Sequence, residues 1–337
     1  MKGLFPSTYI QQWDSILHNA SRVVVATHTR PDGDAIGSVT GLGAVLKDKG
    51  LQVDILIPTP YPSFLHFLDE SNQIVVYQND RAKCDAIISE ADLIIAVDVS
   101  GFSRMGLLGE QLREKNVCKI VIDHHPEPHV NDFTLTFSTT FVSSACELVF
   151  RVLKDWDPLW AFTPAQATSL LTGIITDTNQ FANSIFPETF LVASELMAFQ
   201  ADHSRIIATV YGTYSYHRMR LMGYALQKMK LYEEWQLGVI ALTKDELAQF
   251  QFQEGDTEGF VNLPLSIEGV RIAALFLERD GFVKISLRSR GAIPVNGIAS
   301  AYFHGGGHFN AAAGETNESI SQAESLLLQA LAQDLHK

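Results

Sequence analysis

Along the first half of the chain, uninterrupted apolar runs alternate with stretches of helical spacing. The runs at Arg22–Thr27, Gln52–Ile57, Ala91–Val97 and Cys118–Ile122 are rich in β-branched residues. Near-continuous hydrophobicity of this length predicts strands buried on both faces. Between and after them the pattern turns helical. Ala35–Lys47 ends at Gly50, and Ser144 with Glu147 predicts a capping box opening a helix over Cys146–Leu153. Thr163, Pro164 and Gln166 give a further start signal, for a helix that carries LTGIITDT and stops near Asp177. Strands that alternate with helices predict a parallel sheet with covering helices.

The second half has a different rhythm. Residues 187–235 are rich in Leu, Met, Tyr and Ala, spaced near the helical period of about 3.6, and predict a helical linker. Its aromatic cluster YGTYSYHRMR, 211–220, reads as packing ahead of a base-stacking surface. From Leu237 short strands return as LGVIAL, VRIAALFLER and FVKISLRS, the last two joined by Asp280-Gly281, a hairpin signal. The expected fold is therefore α/β throughout. Residues 1–186 form an N-terminal parallel-sheet domain with flanking helices, 187–235 the linker, and 236–337 a smaller mixed-sheet α/β domain.

Polar residues interrupt this pattern at particular places. His28, Asp32 and Asp34 follow the first strand, Asp98 the third, and Asp123, His124 and His125 the fourth; Asp177 ends a helix. Taken singly, an Asp at a strand end caps a helix or closes a turn, and Asp34 and Asp98 each fit that role. Taken together, they converge at the carboxyl ends of the strands, where open α/β sheets bind ligands. Such a set, all Asp and His with no lysine or arginine among its members, repels itself unless a cation neutralises it. Imidazole and carboxylate without thiolate suit manganese, iron, cobalt or zinc better than calcium or magnesium. The ligands outnumber the needs of one tetrahedral ion and predict a pair about 3.5–4 Å apart about a shared carboxylate, which can clamp an in-line displacement at phosphorus.

Composition narrows the partners. The net charge of −13 argues against a general nucleic-acid coat, because non-specific affinity comes from neutralising phosphates with Lys and Arg. The three cysteines (Cys84, Cys118, Cys146) form no C-x-x-C pair, so a disulfide framework or zinc knuckle is not expected and a reducing compartment is. The N-terminal stretch has no apolar signal-peptide region, and no run approaches the roughly 20 residues of a membrane span. A cytoplasmic chain with no membrane partner is the expectation.

HTRPDGDAIGS at 28–38, VDVS at 97–100, DHH at 123–125 and GIITDT at 173–178 resemble the four motifs of the DHH phosphoesterase family. SLRS at 286–289 and GGGHFNAAAG at 305–314 resemble the DHH-associated C-terminal domain. The resemblance implies two divalent ions, manganese foremost. His28, Asp32 and Asp98 would hold one, and Asp34, Asp98, His124 and Asp177 the other, with Asp98 as the bridge. His125 would face the scissile phosphate, and Asp123 would orient an imidazole. In the tail, Gly305, Gly306 and Gly307 would let backbone amides approach an anion, and the small residues after His308 could begin a helix. Arg288 and His308 would grip the nucleotide, joined by Ser289 and Asn296, for which a turn or cap role is the alternative.

The implied activity is that of the family's short members, which degrade oligoribonucleotides of a few residues and remove the 3′-phosphate of 3′-phosphoadenosine 5′-phosphate. Alternatives are a cyclic or linear dinucleotide phosphodiesterase, an exopolyphosphatase-like hydrolase, and a non-catalytic nucleotide sensor. A short RNA or nucleotide is the expected partner, without a stable nucleic-acid complex; a homodimer is compatible with the sequence.

Overall fold

The computed structural model describes residues 3–126 and 128–334. After helix α1 (Ser7–His18), the apolar runs become strands alternating with helices: β1 (Arg22–Ala26), α2 (Gly33–Asp48), β2 (Gln52–Ile57), β3 (Ile74–Val76), α3 (Arg81–Glu90), β4 (Leu93–Val97), α4 (Gly106–Glu114), β5 (Cys118–Asp123) and β6 (Leu135–Ser138). Helices α5 (Ala145–Trp156), α6 (Pro164–Asp177), α7 (Pro187–Ala198) and the short α8 (His203–Ile206) follow. The six strands pair in parallel in the order β3-β2-β1-β4-β5-β6. The chain works outward from β1 to β3 and then crosses back to β4, so the strand order reverses between β1 and β4. That is the crevice where such sheets bind ligands.

Alternate residues of each strand feed two cores. Val23, Val25, Ile95 and Ile122 pack under α2, α5 and α6, while Val24, Ala26, Ile94 and Val121 pack under α3 and α4. Strands β3 and β6 had no clear apolar signal, since one is three residues long and the other inserts Thr136 and Ser138 into its run. Helices α2 and α6 approach closely because α2 presents Gly33, Gly37 and Gly41 on one face. A methyl group on Gly37 would lie 2.4 Å from the Ser169 carbonyl oxygen of α6. The capping box at Thr163 is complete, with Gln166 N–H on Thr163 Oγ1 at 3.3 Å and Thr163 N–H on Gln166 Oε1 at 3.0 Å. At α5 only half of the expected box forms. Ser144 Oγ accepts the Glu147 N–H, but the buried Glu147 carboxylate instead takes Ser143 N–H, Ser143 Oγ, Thr189 Oγ1 and Arg151.

A second compact unit begins at Tyr214, so the boundary falls inside the stretch 187–235. Helices α7 and α8 belong to the first unit, and α9 (Tyr216–Lys228) opens the second. Strands β7 (Lys230–Tyr232) and β8 (Leu237–Leu242), helix α10 (Lys244–Gln249), the hairpin β9 (Ile272–Glu278) and β10 (Val283–Ser289), helix α11 (Asn296–Tyr302), strands β11 (Gly306–His308) and β12 (Ala311–Thr316) and helix α12 (Ile320–Asp334) complete it. The sheet runs β11-β12-β10-β9-β8-β7, with β8 and β9 parallel and the other neighbours antiparallel. The expectation of a helix after His308 is overturned, because Ala311–Thr316 pairs with β10 from Arg288↔Ala311 to Val283↔Thr316. Sheet pairing here outweighs the helix preference of three alanines. Among the described residues no helix is long and apolar enough to cross a membrane.

One ionic group ties α9 to α10. Burial works to raise the Glu246 carboxyl, but Lys228 Nζ, Tyr224 OH and Thr243 N–H, at 2.6 to 2.8 Å, hold it down at about 2, below its ordinary 4.5. A depressed folded-state value means that this stabilisation is complete above pH 4.5 and fades as pH falls toward 2. In urea denaturation, the stability gap between the native protein and Glu246→Gln is expected to be widest near neutrality and to close across that window. A gap independent of pH would contradict the assignment.

Candidate metal centre

The sheet edge at the β1/β4 reversal gathers the polar residues of the first unit. His28 directly follows Thr27 at the end of β1, and Asp98 follows β4, with its N–H on the Ile122 carbonyl oxygen at 3.0 Å. Asp98 has a left-handed backbone, φ 55°, a region that Asp tolerates better than most residues. The turn aims its carboxylate between two imidazoles: Oδ2 lies 3.3 Å from His28 Nε2, and Oδ1 lies 3.5 Å from His124 Nε2. His124 Nε2 is also 3.7 Å from Asp34 Oδ2 and 3.7 Å from Asp177 Oδ2. Within the first unit, three groups thus bring ligand atoms within 4.8 Å of one another: His28, Asp32 and Asp98; Asp34, His124 and Asp177; and Asp98, Asp123 and His125.

Local hydrogen bonds set the tautomers. His28 Nδ1–H donates to the Thr29 carbonyl oxygen at 2.9 Å, which fixes the ring so that Nε2 is the nitrogen directed at Asp98. His125 Nδ1–H donates to Asp123 Oδ1 at 2.8 Å, leaving Nε2 as its reactive nitrogen. Asp32, rather than Asp34, caps α2: its Oδ1 accepts the N–H groups of Asp34 and Ala35 at 3.0 and 3.1 Å. Both oxygens of Asp34 accept backbone N–H groups from Ala145 and Cys146. No sequence pattern announces those two donors, because they belong to the main chain.

The electrostatics are those of a site built for cations. Burial pushes Asp34 well above the usual carboxylate range, and the charges of Asp98 and Asp177 add to it. Burial likewise lifts Asp177 to about 6 against the pull of His124, with help from Asp32 and Asp98. Burial works to lower both imidazoles, yet hydrogen bonding and charge from Asp98, with Asp32, carry His28 to about 9. Asp98, Asp177 and Asp34 carry His124 to about 10. For Asp98 burial is outweighed by His124 and His28, which hold it well below the carboxylate range. Asp98 Oδ1 is nonetheless buried without a hydrogen-bond partner. A set of imidazole nitrogens and carboxylate oxygens around an orphaned buried oxygen fits divalent metal.

In the second unit, Arg288 lies opposite Ala311 on β12, and Ala311 lies opposite His308 on β11. Residues paired directly across a sheet share a face, so Arg288 and His308 flank a methyl group. Gly307 is at φ 137°, and a Cβ there would meet the Ala311 carbonyl oxygen at 2.5 Å, so this glycine lets β11 lie against β12. Gly305 leads into β11, which Gly306 opens, and Asn296 starts α11. Ser289 Oγ donates to the Ile293 carbonyl oxygen at 2.6 Å and accepts from Asn310 Nδ2 at 2.8 Å, which commits it to the turn. Asn310 pins that turn also through Gly291, a part that attention to GGGH alone passes over.

Residues 22–174 match the profile of the DHH family, N-terminal domain, and residues 237–337 match the DHHA1 domain. The bifunctional oligoribonuclease and PAP phosphatase NrnA of Thermus thermophilus is 32% identical, over 93% of this chain and 90% of its own. The Bacillus subtilis protein of the same name is 29% identical, over 90% and 92%. A crystal structure of an exopolyphosphatase-related protein from Bacteroides fragilis superposes with a TM-score of 0.93 at 36% identity, covering 99% of this chain and 98% of that one. Exonuclease RecJ bound to manganese, at 16% identity and a TM-score of 0.54 over 99% and 96%, shares the fold.

Proposed function

The chain belongs to the DHH family, and from that membership we propose that it is a metal-dependent phosphoesterase that hydrolyses short oligoribonucleotides and 3′-phosphoadenosine 5′-phosphate. The observation that carries the reading is Asp98, a buried carboxylate with one oxygen toward His28 and the other toward His124. The relatives named for these two activities support the choice of substrate. In this reading His28, Asp32 and Asp98 hold one ion and Asp34, Asp98, His124 and Asp177 the other. The mixed nitrogen and oxygen donors admit manganese, iron, cobalt or zinc, and manganese is the ion proposed, as it is the one bound in the RecJ crystal structure.

Two bound ions supply charge neutralisation, polarisation of phosphoryl oxygens and a lowered pKa for water. His125, its Nδ1–H held by Asp123, keeps its proton-bearing Nε2 in one orientation and delivers that proton to the leaving oxygen. His28 is held by the Thr29 carbonyl oxygen so that Nε2 remains the ligand atom. In the second unit Arg288 and His308 bind substrate phosphate, with the backbone at Gly305, Gly306 and Gly307 beside them and Asn296 at the start of α11 as a further polar contact, while Ser289 shapes the turn after β10.

A panel of diribonucleotide, cyclic dinucleotide, 3′-phosphoadenosine 5′-phosphate, pyrophosphate and polyphosphate, assayed with manganese and after chelation, tests the proposal. The expected result is manganese-dependent release of nucleoside 5′-monophosphates from diribonucleotide and the bisphosphate. Turnover of the cyclic dinucleotide or of polyphosphate alone would redirect the reading to those activities. Tight nucleotide binding without turnover would mark a sensor. Arg288→Ala is expected to raise KM about tenfold or more while lowering kcat less, as the loss of a charge-assisted bond made equally before and during reaction. An unchanged KM would count against Arg288.

A further inference from the structure

The carboxylate of Asp34 is gripped from a helix more than a hundred residues away in sequence. Its Oδ2 accepts the N–H of Ala145 at 2.6 Å and its Oδ1 the N–H of Cys146 at 2.9 Å. These are the first two amides of α5, which have no acceptor within their own helix. The third, that of Glu147, is taken by Ser144 Oγ at 3.0 Å. All three leading donors of α5 are therefore spent, and two of them on one buried side chain.

The grip leaves the carboxylate a single orientation. Two donors on two different oxygens fix its plane. The space behind it is closed: a Cβ on Gly173 of α6 would lie 2.5 Å from Asp34 Oδ1 and 2.2 Å from Cys146 Sγ. The Cys146 thiol fills the remaining gap, 3.2 Å from Ser38 Oγ. A carboxylate oxygen has two lone pairs, so each oxygen keeps one after accepting an N–H. On Oδ2, which faces His124 Nε2 at 3.7 Å, that lone pair is free for a cation.

We propose that the backbone N–H groups of Ala145 and Cys146 are positioning groups that pre-orient Asp34 for its metal ion, with Gly173 as the spacer that lets them reach it. The proposal rests on the reading of Asp34 as a ligand. It makes the start of α5, a helix with no metal-binding side chain of its own in that reading, part of what sets metal affinity. Pre-oriented ligands lose less freedom on binding, and partners of this kind govern affinity by about 10- to 100-fold.

Proline can remove one donor without breaking the helix. Ala145 is the first residue of α5, where proline is tolerated, and Ser144 before it is already extended at φ −165° and ψ 163°. Ala145→Pro deletes the N–H and puts a ring carbon against Oδ2; Ala145→Gly keeps the N–H. Manganese titrations of the chelator-stripped full chain by calorimetry should give two equivalents for the native protein and for Ala145→Gly. Ala145→Pro should keep one and bind the other at least about tenfold more weakly, with a cooperative melting transition that is retained but shifted to lower temperature, because a buried acceptor loses its donor. Wild-type affinity at both sites in Ala145→Pro would overturn the proposal. Asp34→Asn separates the two ideas. If it too binds both equivalents normally, the ligand reading fails; if it loses one while Ala145→Pro does not, only the positioning role fails. Should the proline variant not fold, the amide resonances of Ala145 and Cys146 in the native protein decide. They are expected to move on addition of zinc, a diamagnetic ion suited to imidazole and carboxylate donors, and resonances that stay in place would overturn the proposal.

Discussion

Asp98→Asn is expected to lower kcat by about a thousandfold or more, because the substitution strikes both proposed ions at once. The variant keeps the shape of the side chain, and asparagine tolerates the left-handed backbone that the position requires at φ 55°. What changes is the charge, and one oxygen becomes an amide nitrogen that cannot ligate. The native carboxylate is buried, with its two oxygens turned to His28 and His124. The two imidazoles and three neighbouring aspartates would then face each other with no common anion between them. Steady-state kinetics on diribonucleotide, with metal content measured on the same sample, provide the check. Metal content should fall along with kcat, and retention of more than about a tenth of the native turnover would refute a bridging role.

His125→Asn should produce a different signature. Loss of a general acid costs about 10²- to 10⁴-fold in rate, and here it should come with both ions still bound. The distinction matters because His125, Asp98 and Asp123 also form a group close enough to hold metal, with His125 Nδ1 3.7 Å from Asp98 Oδ1. Geometry favours the acid: Nδ1–H is already committed to Asp123 at 2.8 Å, a bond that a ligating Nδ1 would have to give up. An imidazole oriented by a carboxylate through one nitrogen is arranged to work through the other. If His125→Asn lost one equivalent of metal, the residue would belong among the ligands. If it lost neither metal nor rate, it would have no part in the chemistry.

Much of the candidate metal edge was legible because its logic is positional. Strands buried on both faces announce themselves as apolar runs, and a polar residue placed just after one has few places to go but the sheet edge. His28, Asp98 and His124 follow β1, β4 and β5, which lie side by side in the sheet. Other features depend on pairing over long distances. The alanines at 311–313 have a helical preference, and pairing with β10 on one side and β11 on the other makes them extended. Strands β3 and β6 are too short or too polar to stand out. Ser144 and Glu147 correctly mark the start of α5, but the Glu147 carboxylate finds Thr189, forty-two residues onward, instead of its own N-cap. The two amides on Asp34 leave no trace in the sequence at all.

The glycine face of α2 bears on how the first unit assembles. Gly37, Gly41 and Gly43 lie inside a single helix, and each costs about 1 kcal/mol of intrinsic helical stability relative to alanine. On its own this segment has little tendency to coil; its helix is secured by α6, against which Gly33, Gly37 and Gly41 dock. The residues placed by α2, Asp32 at its cap and Asp34 in its first turn, therefore acquire their positions only when that docking is done. Ions held there would bind the docked state alone and so act as a latch on a late step of folding. Metal starvation would then register first as faster amide exchange along α2, ahead of any global unfolding.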